Sequence, residues 1–159
     1  MALLVRPARP ADARSIHDLI RELAEYEKLL DQAIATEASI ATALFADHPR
    51  VFCDIAEWKG ALAGFALWFY NFSTFRGAHG IYLEDLFVRP AFRGNGIGRG
   101  LLVSLARRAV AEGCARLDWA VLDWNTPSIA FYEKLGARPI EGWTAYRLAG
   151  QALSRLGES

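Results

Sequence analysis

The sequence predicts an α/β fold, a mixed, twisted sheet flanked by helices, in a single domain over residues 1–159. Three patterns point there. Apolar residues recur at helical spacing in some stretches and at every second position in others. Lys59-Gly60 breaks one long alternating run as a hairpin turn would. The later strands are separated by helix-length segments, which need parallel crossovers, whereas the hairpins give antiparallel pairs.

Taken in order, "LLVRPA" is a short apolar strand. Asp12 then stands as N-cap ahead of Ile16, Leu19, Ile20 and Leu23, which share one helical face. "TEASIATALF" is a second amphipathic helix, opened by Thr36 and ended by His48-Pro49. "VFCDIAEWKGALAGFALWFYNF" gives two strands around the Lys59-Gly60 turn, and "GIYLEDLFV" a third, stopped by Arg89-Pro90. Gly98 to Glu112 is a helix with Leu101, Leu102, Leu105 and Ala109 inward, followed by the buried strand "ARLDWAVLDWN". Pro127 starts the helix "PSIAFYEKLG", Gly136 closes it, and a last strand is expected near "GWTAYRLAG".

Composition narrows the function. A formal net charge of zero provides no global field for nucleic acid or an anionic membrane. The most apolar stretch, "ALAGFALWFY", is half the length of a spanning helix, and no basic-then-apolar leader opens the chain, so a cytoplasmic protein is expected. Cys53 and Cys114 stand far apart, and His17, His48 and His79 have no partner at ligand spacing, so no metal site is expected.

The stretch "EDLFVRPAFRGNGIGRGLL" carries a glycine-rich loop at a strand-to-helix junction, where backbone N–H groups at the positive end of a helix suit phosphate. It is not a P-loop, because no Gly-Lys-Ser/Thr follows. It is not a dinucleotide fingerprint, because Arg99 and Leu101 stand where the third glycine should be. What remains is Arg93-x-x-Gly96-x-Gly98.

That loop, with "YLEDLFVRPAFRGNGIG", "AVLDWNTPSIAFYEKLGA" and "IRELAEYEK", resembles the GNAT acetyltransferases over nearly the whole chain, in their diamine acetyltransferase branch of spermidine/spermine and thialysine enzymes. The resemblance implies acetyl-CoA as co-substrate. It assigns Arg93, Gly94, Asn95, Gly96, Ile97, Gly98 and Arg99 to the pyrophosphate, and Leu86, Phe87 and Val88 to the acetyl-pantetheine arm. Asn125 and Ser128 also match positions at the cofactor, although an asparagine ahead of a helix is equally a cap.

The chemistry asks for a proton acceptor and a proton donor. An alkyl ammonium has a pKa near 10.4, so at pH 7 only about one molecule in a thousand carries the free lone pair. Strand alternation would put Tyr82, Glu84, Leu86 and Val88 on one face and Leu83, Asp85 and Phe87 on the other. By resemblance Glu84 receives the amine's proton through ordered water, and Asp85 orients the substrate; by residue type alone, both could be salt-bridged acids near a strand end. Tyr132 matches the tyrosine that protonates the leaving sulfur, and would otherwise be a core tyrosine.

Tyr26, Glu27 and Glu141 match acceptor-lining positions, although "ELAEYEK" also reads as a solvated helix face. Ser73 stands where spermidine/spermine members carry an aspartate, which favours a shorter, thialysine- or lysine-like amine. A polyamine acceptor, a protein lysine or N-terminus, and a non-catalytic acyl-CoA-binding module are the alternatives. The family resemblance also implies a homodimer.

Overall fold

A computed structural model describes residues 1–159. The elements are β1 (Leu3–Pro7), α1 (Ala13–Tyr26), α2 (Glu37–Phe45), β2 (Phe52–Trp58), β3 (Ala61–Ser73), β4 (Ala78–Val88), α3 (Ile97–Ala111), β5 (Leu117–Trp119), α4 (Thr126–Lys134) and α5 (Gly150–Gly157). Contacts divide the chain into two compact units, Met1–Ala120 and Val121–Ser159. No helix is long and apolar enough to cross a membrane.

The first unit holds a five-stranded sheet in the order β1-β2-β3-β4-β5, antiparallel except for the parallel β4–β5 pair. Positive φ at both Lys59 (50°) and Gly60 (83°) gives the turn between β2 and β3 the handedness that matches strand twist. Helices cover both faces of the sheet. Ile16, Leu19 and Leu23 of α1 pack on Ile55, Phe65, Leu67 and Phe87, and full burial of such side chains contributes about 1.5–3 kcal/mol each. Leu101, Leu102, Leu105 and Ala109 of α3 are likewise buried, and Arg108 lies over the Trp68 ring, 5.0 Å from its centroid, on the other face.

Local chemistry explains the helix starts. Thr36 Oγ1 accepts from Ser39 N at 3.1 Å and Ser39 Oγ accepts from Thr36 N at 3.0 Å, so α2 opens on a reciprocal cap. Asp12 occupies the N-cap position of α1 as expected, but its side chain does not cap the helix. The carboxylate instead accepts from Arg6 at 2.7 and 3.0 Å and from Arg9 N at 2.7 Å, tying β1 to the entry of α1.

Three expectations need correction. Residues 139–149 form no strand, and Ile140, Trp143 and Tyr146 there are exposed; alternation needs a neighbouring strand to become a ladder, and this tract has none. Helix α5 follows it, which the sequence reading did not anticipate. The strand "ARLDWAVLDWN" shrinks to Leu117–Trp119, because its pairing with β4 ends at Leu83↔Trp119, where β4 becomes irregular.

That irregularity overturns the third expectation. On β3, Leu67 pairs with Asp85 but the next residue, Trp68, pairs with Leu83, so Glu84 is an extra residue in a β-bulge. The bulge reverses the phase of alternation. Asp85 and Phe87 share the α1 face with their partners Leu67 and Phe65, whereas Leu83 joins Trp68 on the α3 face. Leu83 and Asp85, expected side by side, lie on opposite faces.

The second unit contains α4 and α5. Asn125 sits at the N-cap of α4, its Oδ1 accepting from Ser128 N at 3.4 Å, and Pro127 lies in the first turn, as the sequence predicts.

Candidate active site

The bulge gives β4 two unlike halves. From Ala78 to Leu83 it is a regular strand, held on both sides once β5 joins at Ile81; from Glu84 to Val88 only β3 pairs with it. The β5-facing edge of that second half is outside any ladder, as a strand must be if its backbone is to meet an extended ligand. Leu86, Phe87 and Val88 lie there, opposite Ala66, Phe65 and Gly64. Gly64 is needed for this close approach. A Cβ on it would collide with the Phe87 carbonyl oxygen and crowd the Val88 Cα at 3.2 Å.

Beyond Val88 the chain turns through Pro90–Phe92 into the loop that opens α3. Gly94 and Gly96 have φ of 82° and 74°, which glycine adopts without strain, and a Cβ built on either meets nothing within 4 Å. Ile97 is buried and anchors the start of the helix, while Arg99 is exposed beside it. Gly96 is the N-cap residue, so amides at the positive end of α3 border an open, side-chain-free surface. These residues suit a diphosphate. Asn95 is exposed, and its Nδ2 donates to Phe92 O at 2.9 Å, bracing the loop.

Arg93 reaches back across the site. Its Nε donates to Val88 O at 2.9 Å, and its guanidinium lies 5.1 Å from the Tyr26 ring and 5.5 Å from the Phe87 ring. Tyr26 and Glu27 end α1, so the acceptor-lining residues expected there stand against the loop and the end of β4. A long-range contact between α1 and the residue that follows β4 fixes this arrangement. Arg89 donates to Glu22 at 2.9 Å and its backbone N to Ala63 O at 2.8 Å. Glu22 and Arg89 are 67 residues apart, and no local pattern marks such a pair.

The electrostatics are those of a cation site. Asp85 is half-buried, and its carboxyl is pushed up to about 7, first by burial and then by the negative charges of Glu84 and Glu27. Burial also raises Glu27 above the usual carboxylate range. Glu84 itself is exposed at the bulge. Thus Tyr26, Glu27, Glu84, Asp85, Phe87 and Arg93 gather within the first unit. Asn125, Ser128, Tyr132 and Glu141 belong to the second, where the Tyr132 ring lies tilted against Phe131 in α4, centroids 5.4 Å apart, and Glu141 is exposed.

Residues 14–137 match the acetyltransferase (GNAT) family. The thialysine N-epsilon-acetyltransferase of Bos taurus is 38% identical over 165 residues, an alignment spanning 97% of this chain and 96% of that one. An L-ornithine N5-acetyltransferase of Arabidopsis thaliana is 31% identical, spanning 96% and 86%. Among solved structures, an integron cassette protein from the mobile metagenome of V. cholerae superposes with a TM-score of 0.84 at 30% identity, covering 100% of this chain and 99% of that chain.

Proposed function

The chain belongs to the GNAT acetyltransferase family and is an N-acetyltransferase, and from that premise we propose that it transfers the acetyl group of acetyl-CoA to the side-chain amine of a compact, lysine-like cation such as thialysine. The observation that carries a cationic acceptor is the crowding of Asp85 by two other carboxylates, Glu84 and Glu27, a setting that an arriving ammonium relieves. The names of the relatives agree, since thialysine and ornithine both present a primary amine at the end of a short side chain.

In this reading the loop from Arg93 to Arg99 holds the pyrophosphate on its amides, and the unpaired edge of Leu86, Phe87 and Val88 holds the pantetheine arm and the thioester carbonyl. Glu84 takes the ammonium's proton through ordered water, Asp85 orients the amine, and Tyr26, Glu27 and Glu141 line its path. Asn125 and Ser128 contact the cofactor and Tyr132 protonates the departing sulfur; for these residues the support is the sequence motif. The structure gives Ser73 a local task, since its Oγ accepts from Arg76 N at 3.2 Å in the turn after β3.

The reading extends to one catalytic domain over the whole chain, supported by the full-length match to the integron cassette structure, and to a cytoplasmic homodimer, supported by the exposed apolar side chains of Ile140, Trp143 and Tyr146. The test is thiol release from acetyl-CoA across a panel of thialysine, lysine, ornithine, spermidine, spermine and amino-acid amides. Highest kcat/KM for the lysine-like amines is expected. A tenfold preference for spermidine or spermine would replace this acceptor with a polyamine.

A further inference from the structure

We infer that Asp85 works with Glu84 as a pair of proton acceptors, and that the proton leaving the attacking ammonium comes to rest on the Asp85 carboxyl, which the bulge at Glu84 turns toward α1 and partly hides from water. The inference rests on the reading of the site as an amine acetyltransferase and gives the second acid of "LED" a different task from orienting the substrate.

The geometry comes first. In an uninterrupted strand Asp85 would share a face with Leu83, against α3. The extra residue puts it opposite Leu67 instead, on the face where α1 ends in Tyr26 and Glu27. The groups around it come from every neighbouring element. Glu84 lies beside it on β4, Glu27 approaches from α1, and Cys53 on β2, whose thiol is driven up mainly by burial, also feels its charge. The nearby guanidinium of Arg93 is turned to the rings of Tyr26 and Phe87 and to Val88 O. Asp85 is thus surrounded by negative and apolar groups, which push its carboxyl up to about 7.

That value suits the task. An ordinary aspartate near 3.9 lies about 6.5 pH units below an alkyl ammonium near 10.4, whereas an acceptor near 7 lies about 3.4 below it, so the proton equilibrium is roughly a thousandfold more favourable. An arriving ammonium favours the ionised form of Asp85, the form that can accept a proton.

The steps balance without any oxidant or reductant. An N–H bond of the ammonium breaks and an O–H bond forms on Asp85, through Glu84 and a water. The freed lone pair forms the C–N bond to the thioester carbonyl. As the tetrahedral species collapses, the C–S bond breaks and the thiolate gains a proton from its donor, while the second proton of the nitrogen passes through solvent to replenish that donor. Asp85 then returns its proton to solvent, the one proton released per turnover.

Two measurements test this. Carboxyl-detected NMR of the intact wild-type protein, labelled at aspartate, should show an Asp85 midpoint near 7, and a midpoint near 4 overturns the inference. The pH profile of kcat/KM for thialysine should show an acid limb with a midpoint near 7. Asp85→Asn should abolish that limb and lower the plateau by about 10²–10⁴-fold. Asp85→Glu should restore part of the rate with a displaced midpoint. Glu84→Gln should keep the limb but move it to lower pH, because a neighbouring negative charge is gone. Amine acetylation with an unaltered limb in folded Asp85→Asn overturns this inference alone, whereas a wild-type chain that acetylates no amine overturns the acetyltransferase reading as well.

Discussion

Replacing Gly96 with alanine separates the two tasks that this residue combines. Its φ of 74° costs an L-residue about 1–2 kcal/mol, which in a chain of this length lowers Tm by about 2–8 °C. The new methyl meets nothing within 4 Å, so packing adds no further penalty and the side chain projects into the open space beside the loop amides. If a diphosphate occupies that space, the methyl displaces it from at least one amide. A hydrogen bond to a charged group contributes about 1.5–3 kcal/mol, which predicts an acetyl-CoA KM about 10- to 150-fold higher. Gly113 supplies the control, because just past the C-terminal end of α3 it has a φ of 71° and equally open surroundings. Gly113→Ala should lose similar stability and leave KM unaltered. The assay is steady-state thiol release at saturating thialysine with acetyl-CoA varied, alongside thermal melts of both variants. Equal KM values for the two variants would refute the diphosphate assignment.

Other expectations rest on separate parts of the molecule. Tyr132→Phe should lower kcat by about 10- to 1,000-fold with little change in acetyl-CoA KM, and a normal kcat would leave Tyr132 as a packing residue. Gly64→Ala should push the Phe87–Val88 backbone off β3, costing about 1–3 kcal/mol in a urea melt and raising acetyl-CoA KM in the surviving fold; an unaltered melt would show that β4 yields freely. Ser73→Asp keeps an acceptor for Arg76 N and adds a charge, so it should improve spermine relative to thialysine by only a few-fold, the effect of one exposed pair worth about 0.2–1 kcal/mol. Arg6 holds the Asp12 carboxyl below the usual range. That stabilisation is fully present above the unfolded value near 3.9 and is lost as pH falls through the lower folded one. Asp12→Asn should therefore lower Tm at pH 6 and flatten its decline between pH 5 and pH 2, and parallel Tm curves for the two proteins would show that the pair contributes nothing.

Much of this was legible in the sequence because the signals were local. The inward face of α1, the Thr36 cap, the Lys59-Gly60 turn and the glycine loop each depend on a few neighbouring residues, and the structure has each where it was expected. The bulge at Glu84 was not legible, since strand phase depends on which residue of the partner strand lies opposite, and nothing in "YLEDLFV" marks the extra residue. The tract "GWTAYRLAG" failed for a related reason, because its alternation says which side chains could share a face but supplies no edge to pair with. The family motif singled out Glu84 and Asp85, but their unlike surroundings emerged only with α1 in place.

Arg93 bears on the entropy of binding. Between Gly94 and Gly96 the backbone has the widest conformational freedom a chain can have, and freezing it around a ligand would cost about 1–2 kcal/mol per residue. The guanidinium anchors the near end of that segment to two rings and a carbonyl, the side chain of Asn95 braces its middle, and buried Ile97 closes the far end. The loop is therefore soft in composition but stiff in its setting, and most of its disorder is removed when the protein folds rather than when the ligand arrives.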